Sequence, residues 1–373
     1  MGGGPGGALA AFHLARGGEG VTVFDASHPR EKPCGGGLTA RALALLPPAP
    51  VGDPLPARSV RSCRFDSGAG DYADVALERD VAIASRRALD AWILRRATNA
   101  GARHVPERVV AVDAGGGLAT AAGRRASFDV IVGADGATSL VRRTFLAPTP
   151  AARIEMALGW YAAGTSEMLV RFTPGLPGYL WLFPRPDHVG VGLCAPLQAA
   201  PTRRLWERLE HEVARAFPAL SDLDAERYAA TIPGPSADPS SILEIAGERW
   251  ALVGDAAALA DPLTGEGITY ALSSGKILAE TLLAGEAPTR YPERVLEAFG
   301  RNLVKAASLR ERFYAPGFTR RMVRFAAASG AIREVLGDLV LGDQGYRGLK
   351  RRLLRKLPAF VVQAAAYRLG LAA

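Results

Sequence analysis

The chain opens in a helical rhythm. Behind Met1-Gly2-Gly3-Gly4-Pro5-Gly6-Gly7, the run Ala8-Leu9-Ala10-Ala11-Phe12-His13-Leu14-Ala15-Arg16 predicts an apolar helix entered through a glycine turn. Val21-Thr22-Val23-Phe24-Asp25 is a β-branched run ending in an acid, and it predicts a short strand. Residues 81–103 predict a helix around Leu89, Ile93 and Ala97. From Val109 to Phe128 the pattern is strands about a Gly115-Gly116-Gly117 turn, and Val130-Ile131-Val132-Gly133 reads as a buried strand. Alternating, aromatic-rich stretches with Gly and Pro breaks occupy residues 155–194 and predict sheet. Residues 203–217 predict a helix, Trp250-Ala251-Leu252-Val253 a short strand, and a long helix begins near Gly267. Beyond about residue 285 the patterning is almost wholly helical. No internal repeat and no low-complexity linker interrupts it.

Composition narrows the class. With 373 residues, 49% hydrophobic and 22% charged, the chain suits two domains or one large α/β unit with an insertion, and it excludes disorder. No uncharged apolar run approaches the ~20 residues of a membrane-spanning helix. The glycine-rich start lacks the basic-then-apolar layout of a secretory signal. Three scattered cysteines, Cys34, Cys63 and Cys194, argue against a disulfide framework and for a reducing compartment. No His/Cys spacing suits zinc, so no metal site is expected. The net charge of +8 is local in origin. Residues 301–373 carry 15 Lys and Arg against 4 Asp and Glu, while the rest of the chain is slightly acidic. No nucleic-acid motif accompanies the basic segment, and nucleic-acid binding is not expected.

Gly2, Gly4 and Gly7 satisfy G-x-G-x-x-G, with Pro5 and Gly6 inside the motif. The first glycine permits the tight turn, the second lets backbone approach a pyrophosphate, and the third lets helix pack on strand. The helix N-terminus then offers free N–H groups and a positive dipole end. Asp25, 23 residues after Gly2, stands where an acid binds a ribose hydroxyl pair. Dinucleotide binding follows. The strand that precedes the glycines in this fold is missing, since only Met1 stands there. The expectation is a first strand truncated by a late recorded start, or a fragment.

Three further motifs are Val132-Gly133-Ala134-Asp135-Gly136-Ala137-Thr138-Ser139 with Val141-Arg142-Arg143, Val253-Gly254-Asp255-Ala256-Ala257, and Asp261-Pro262-Leu263-Thr264-Gly265-Glu266-Gly267-Ile268. Their order and spacing resemble FAD-dependent oxidoreductases of the aromatic hydroxylase type, as does the Arg86-Arg87-Ala88-Leu89-Asp90 helix start. Lys32-Pro33-Cys34-Gly35-Gly36-Gly37-Leu38, Tyr179-Leu180-Trp181-Leu182-Phe183-Pro184 and Gly342-Asp343-Gln344-Gly345-Tyr346 narrow the resemblance to the geranylgeranyl reductase family, over essentially the whole chain. One departure is Leu176, where that family often has Pro.

The resemblance implies an α/β fold: a Rossmann-like FAD-binding domain from segments 1–150 and 245–284, an inserted β-sheet substrate domain over 151–244, and a helical basic region over 285–373. It implies Asp255 at a ribityl hydroxyl, with Gly254 beside it. Gly265, Gly267 and Ile268 would offer backbone N–H groups to the flavin, and Pro262 would lie beside the ring. Asp135 and Gly136 would meet the phosphate and ribose region. Arg86, Val109, Val110, Cys34, Gly35 and Gly37 are further cofactor contacts. For Asp255 the alternative is a helix N-cap, and for Asp135 ordinary turn chemistry. Cys34 is the candidate proton donor, and the alternative is a small loop hydrophobe. Core packing is expected for Cys63 and Cys194, and a surface strand position for His188. Tyr179, Trp181 and Phe183 alternate and so share a strand face, which the resemblance makes a wall for an apolar chain.

The implied activity is reduction of C=C bonds in a geranylgeranyl or related isoprenoid chain on a lipid, quinone or pigment precursor, with hydride from reduced FAD. NAD(P)H or a reduced redox protein would be the electron donor. The alternatives are an FAD-dependent hydroxylase of an aromatic or polyketide substrate, and a non-catalytic, membrane-associated flavoprotein. Flavin halogenases usually carry Trp-x-Trp-x-Ile-Pro, which is Tyr179-x-Trp181-x-Phe183-Pro184 here. In the basic tail, Arg347, Lys350, Arg351, Arg352, Arg355 and Lys356 accompany Leu349, Leu353, Leu354 and Leu357 at helical spacing. That pattern predicts either an interfacial helix on anionic lipid or a solvated helix packed on the domain. The expected location is the cytoplasm, with peripheral contact at the inner face of the membrane.

Overall fold

A computed structural model describes the backbone of residues 1–221 and 225–368, with side chains through residue 363. In chain order the first half is α1 (Pro5–Arg16), β1 (Thr22–Phe24), β2 (Gly37–Leu38), α2 (Ala40–Leu45), β3 (Arg58–Asp66), β4 (Tyr72–Ile83), α3 (Arg86–Asn99), β5 (Arg103–Val105), β6 (Val109–Val112), β7 (Gly117–Thr120), β8 (Arg125–Ser127), β9 (Ile131–Gly133) and α4 (Leu140–Phe145). The middle comprises β10 (Ile154–Ala162), β11 (Leu169–Phe172), β12 (Tyr179–Pro184), β13 (Val189–Pro196), α5 (Thr202–Ala216), β14 (Arg227–Pro233), α6 (Ser240–Leu243), β15 (Ala246–Gly247) and β16 (Trp250–Leu252). Helices α7 (Ile268–Leu283), α8 (Tyr291–Val295), α9 (Arg301–Phe313), α10 (Phe318–Ala328), α11 (Gly330–Leu341) and α12 (Leu349–Arg368) complete it.

Around the glycine turn the strands are short and parallel: β1 pairs with β5, and β9 with β16. Met1 and Gly2 bridge these two pairs. Gly2 N–H donates to the Phe24 carbonyl at 2.9 Å, the Met1 nitrogen to Val132 at 2.7 Å, and Ala134 N–H to Met1 at 2.8 Å. Helix α1 packs on α3 and α7, burying Leu9, Phe12, Leu89, Ile93 and Leu272 in one cluster. The α1–α7 contact is backbone on backbone. A Cβ on Gly275 would stand 2.2 Å from the Gly6 carbonyl oxygen, and one on Gly6 would stand 2.8 Å from that of Ala271.

The largest sheet has eight strands in the order β14-β10-β13-β12-β11-β3-β4-β2, antiparallel except where β11 runs parallel to β3. One face of β10, β12 and β13 buries Leu158, Leu180, Leu182, Val191 and Leu193 against Leu205, Leu209 and Val213 of α5. At the other end, Cys63, Val75 and Leu77 of β3 and β4 pack on Val323 and Leu336 of α10 and α11.

Two expectations are corrected here. The helix predicted over 81–103 is α3 alone. Residues 72–83 form a strand because Ala73, Val75 and Leu77 alternate inward with exposed Tyr72, Asp74, Ala76 and Glu78. Residue 150 is also not the division between sheets, because β2, β3 and β4 belong to the same sheet as β10–β14. Among the described residues no helix is long and apolar enough to cross a membrane.

Candidate functional site

Helices α1 and α7 point their N-termini at one cavity. Gly4 and Gly267 are the residues before them, and neither helix has a side-chain cap, so their first N–H groups stay available. The cavity encloses about 1930 Å³, well beyond the ~1,000 Å³ at the upper end of ordinary small-molecule pockets. Its length brings together most of the predicted residues. The glycine turn, Asp25, Val109, Asp135 and Gly136 line one end. The Cys34–Gly37 loop, Arg86, Gly254, Asp255, Gly265, Gly267 and Ile268 line the middle, and Tyr179, Trp181 and Phe183 lead into the far end.

At the first end, Asp25 Oδ2 accepts from Gly3 N–H at 2.7 Å, and Oδ1 accepts from Ser27 N–H at 2.8 Å and from the Ser27 hydroxyl. Burial works against its charge, but these donors and His28 hold the carboxyl far below the usual carboxylate range. Asp135 is committed to its own turn, accepting from Ser139 Oγ and Leu140 N–H, each at 2.6 Å. Turn chemistry therefore accounts for its carboxylate, although the residue still lines the cavity. Gly136, at φ 80°, has open space where a Cβ would stand.

In the middle, Asp255 receives the Lys32 ammonium at 2.6 Å. Burial opposes charge on this carboxyl, yet Lys32, with Arg86 and Arg30 behind it, keeps it below the ordinary range. Arg86 is held in parallel by Asp90, at 2.7 and 2.8 Å, one helical turn along α3. Its burial also opposes charge, and Asp90 more than compensates. Cys34 Sγ accepts from Gly36 N–H at 3.3 Å. Gly35 leaves room for the Phe183 ring, which a Cβ would strike at 2.6 Å.

Arg185 fixes the Cys34 loop. It is almost fully buried, donates to the Cys34 carbonyl at 2.7 Å and to Glu31 at 3.1 Å, and lies 4.6 Å from the Tyr161 ring centre. Glu31 also accepts from Arg86 N–H at 2.9 Å, so one carboxylate ties loop, α3 and the β12–β13 turn together. His188 is half-buried in that turn, 3.2 Å from Arg185, and not the surface strand residue expected.

Tyr179, Trp181 and Phe183 share the cavity face of β12 while Leu180 and Leu182 face α5. The Tyr179 hydroxyl donates to the Thr264 carbonyl, closing the Gly265 loop against the sheet. Trp181 is 4% exposed, and its Nε1 has no hydrogen-bond partner. Cys194, expected only to pack, is buried on this wall beside Tyr179, and burial drives its thiol pKa upward. Cys63 is buried away from the cavity and pushed up to about 12 by the same cause. Beyond the aromatics the walls are Phe65, Met168, Phe172, Phe313, Leu336 and Leu339.

Two predicted contacts fall elsewhere. Val110 follows Val109 on β6, so it faces the opposite side, 49% exposed and off the cavity. Pro262 is turned away by the Asp261 loop, whose carboxylate accepts from Leu263 and Thr264 N–H. Its ring lines a separate cavity of about 390 Å³ with Glu155 and Arg310. Burial outweighs the Arg310 contact there and raises the Glu155 carboxyl to about 7. Four further site residues carry no signal of their own in the sequence: Lys32, Glu31, Arg185 and the half-buried acid Glu266, which burial biases toward its protonated form. Lys32 and Arg185 stand inside or beside quoted motifs, and that adjacency was the available signal. Among the described residues no group of His, Cys, Asp and Glu could hold a metal ion.

No family model matches the chain. A menaquinone reductase of Mycobacterium tuberculosis is 30% identical over 342 residues, covering 83% of this chain and 82% of the relative. A geranylgeranyl diphosphate reductase of Rhodobacter capsulatus is 28% identical over 309 residues, covering 76% and 74%. Among solved structures, a geranylgeranyl bacteriochlorophyll reductase-like protein from Thermoplasma acidophilum superposes with a TM-score of 0.76 at 19% identity, over 95% of this chain and 97% of its own. A flavin-dependent brominase gives 0.71 at 19% identity, over 91% and 92%. Both structures share the fold.

Proposed function

The chain belongs to the geranylgeranyl reductase family of FAD-dependent oxidoreductases, and from that membership we propose that it saturates C=C bonds of an isoprenoid chain carried on a lipid, quinone or pigment precursor. The observation that carries the reading is the continuity of the cavity. One end is built from a glycine turn, acids and helix N-termini, and the other from aromatic and aliphatic side chains, with no wall between. That volume holds a dinucleotide and a long apolar chain in one space.

The residues present fit FAD. Gly4 leaves the α1 N-terminus open to a pyrophosphate, Asp25 offers a buried carboxylate to a ribose, and Asp255 with Lys32 offers a charged pair to a polyol. Gly265 and Gly267 leave the approach to the α7 N-terminus free of side chains, which favours negative charge placed there. Bound and reduced, FAD supplies a hydride to one alkene carbon. Cys34 holds the proton for the other carbon at Sγ. Arg185 and Glu31 fix its loop, and solvent reprotonates the thiol after each turnover. Trp181 and Phe183 orient the chain and exclude water around the alkene. The reducing equivalents come from NAD(P)H or a reduced redox protein.

The test is anaerobic. Flavin in the protein is reduced, and geranylgeranyl diphosphate, whose reducible groups are its C=C bonds alone, is added. Reoxidation without oxygen and addition of two hydrogens to the lipid are expected. Flavin that reoxidises only with oxygen would move the assignment to a hydroxylase, and protein that binds no flavin would overturn the cofactor assignment. Adding NADPH, NADH or a reduced ferredoxin in separate arms identifies the donor class.

A further inference from the structure

The far end of the cavity opens at α12. Leu353, Leu354 and Leu357 line the cavity and are also exposed, as are Phe318 of α10 and Lys305 of α9. Residues with both properties mark a mouth. The apolar surface continues outward through Phe325, Val361 and Val362, which are 46–69% exposed. This is a contiguous apolar rim around an opening, not a scatter of single exposed side chains.

The charges of α12 divide by side. Arg352 binds Glu334 at 3.0 Å and also Asp338, and Lys356 binds Glu334 at 2.7 Å, which pins the helix to α11. Gln363 accepts from the Ser329 hydroxyl at 2.6 Å, and Phe360 meets Phe325 at a ring separation of 5.0 Å. The inner stripe is therefore satisfied. Arg351 and Arg355 are exposed one turn apart on α12, Arg347 is exposed in the turn that precedes the helix, and Lys350 stands on the rim. Among the described residues none of these four has a carboxylate within ion-pair distance. A group of free cations beside exposed aliphatics complements a surface that is negative and apolar in adjacent layers, the profile of an anionic bilayer.

We propose that the α10–α12 face docks on a bilayer containing anionic lipid and that the cavity mouth opens into that bilayer, so an apolar chain enters from the membrane without crossing water. Arg347, Arg351 and Arg355 supply the electrostatic attraction, and Leu354, Leu357, Val361 and Val362 enter the interfacial layer. The entry route rests on the isoprenoid reading given above, whereas the docking does not.

The test is co-sedimentation of the flavin-loaded protein with phosphatidylcholine vesicles, with and without phosphatidylglycerol, in low and high salt. Binding to the anionic vesicles only, released by salt, is expected. The Arg347→Gln/Arg351→Gln/Arg355→Gln variant should bind about a hundredfold more weakly, at roughly a factor of five per basic residue near the surface. Val361→Asp/Val362→Asp should also weaken binding, because it removes the inserted aliphatics and adds two charges that the anionic surface repels. Far-UV circular dichroism and flavin content confirm that each variant is folded. Equal binding to neutral vesicles, or triple-variant binding equal to the parent, would overturn the proposal. So would a dimer in sedimentation velocity that Val361→Asp/Val362→Asp dissociates, because the face would then be covered by a second copy. None of these readouts needs turnover, so failure of the reductase reading leaves them intact. Where both hold, the triple variant loses more activity on vesicle-embedded substrate than on detergent-dispersed substrate.

Discussion

Replacing Arg86 by Met separates a stability role from a ligand role. Arg86 and Asp90 are 6% and 0% exposed, and two parallel hydrogen bonds join them. Removing the guanidinium leaves a carboxylate in a dry site, a change that typically costs ~3–5 kcal/mol. Arg30, 3.8 Å from Asp90 Oδ2, recovers part of this, so the lower end, about 3 kcal/mol, is expected. With a urea slope on the order of 3 kcal/mol/M, the unfolding midpoint should fall by about 1 M. The Arg86→Met/Asp90→Leu variant removes both charges and fills the vacated volume, so its unfolding free energy should return to within about 1 kcal/mol of the parent. Flavin affinity should not return with it, because the Arg86 head lines the cavity near Asp255. Urea unfolding of the apoprotein and fluorescence titration with FAD measure the two separately. If the double variant is as unstable as the single, the buried pair is not the origin of the loss. If it regains full FAD affinity, Arg86 does not serve the cofactor end.

Glu155 should give the protein a pH-dependent stability below neutrality. Its folded carboxyl titrates near 7 and its unfolded one near 4.5, so between these values the folded state holds the extra proton. Stability then falls as pH rises through that window, by up to about 3 kcal/mol, and unfolding midpoints of Glu155→Gln against pH should lack the slope. Gly275→Ala places a Cβ on the Gly6 carbonyl oxygen, and overpacking of this kind costs ~1–3 kcal/mol. Thermal unfolding should show that loss together with weaker flavin retention, and an unchanged variant would refute the backbone contact. Trp181→Phe removes an indole N–H that has no protein partner, so urea unfolding should move little. The Michaelis constant for the apolar substrate should rise about fivefold, on the order of 1 kcal/mol for the apolar contact area lost with the larger ring.

Local pattern revealed the elements whose chemistry is local. The glycine turn and α1, the strand ending at Asp25, and the shared face of Tyr179, Trp181 and Phe183 were legible because one helix period or one strand alternation specifies each. Strand β4 escapes the pattern because its buried positions include a small Ala73, its exposed ones include an apolar Ala76 and an aromatic Tyr72, and its end runs straight into the Ser85 cap of α3. The Lys32–Asp255 contact joins residues 223 apart in sequence, and no periodicity encodes a pairing across that distance. Arg185 directly follows the aromatic motif, but its value lies in Glu31 and the Cys34 carbonyl, which only the folded chain brings near. Val109 and Val110 are indistinguishable in type and are separated only by the pleat.

Glu31 has a consequence for the order of events in turnover. Its carboxylate holds the first N–H of α3 and the Arg185 side chain at once. The cofactor end and the apolar end of the cavity therefore share a single keystone. A ligand that tightens this junction from one side finds it already ordered for the other. Linkage makes the effect mutual: whatever factor a bound dinucleotide adds to the affinity for the lipid chain, the lipid chain adds to retention of the dinucleotide. An enzyme that keeps a hydrophobic product seated would by the same linkage keep its flavin seated, and exchange of one would be the natural moment for release of the other.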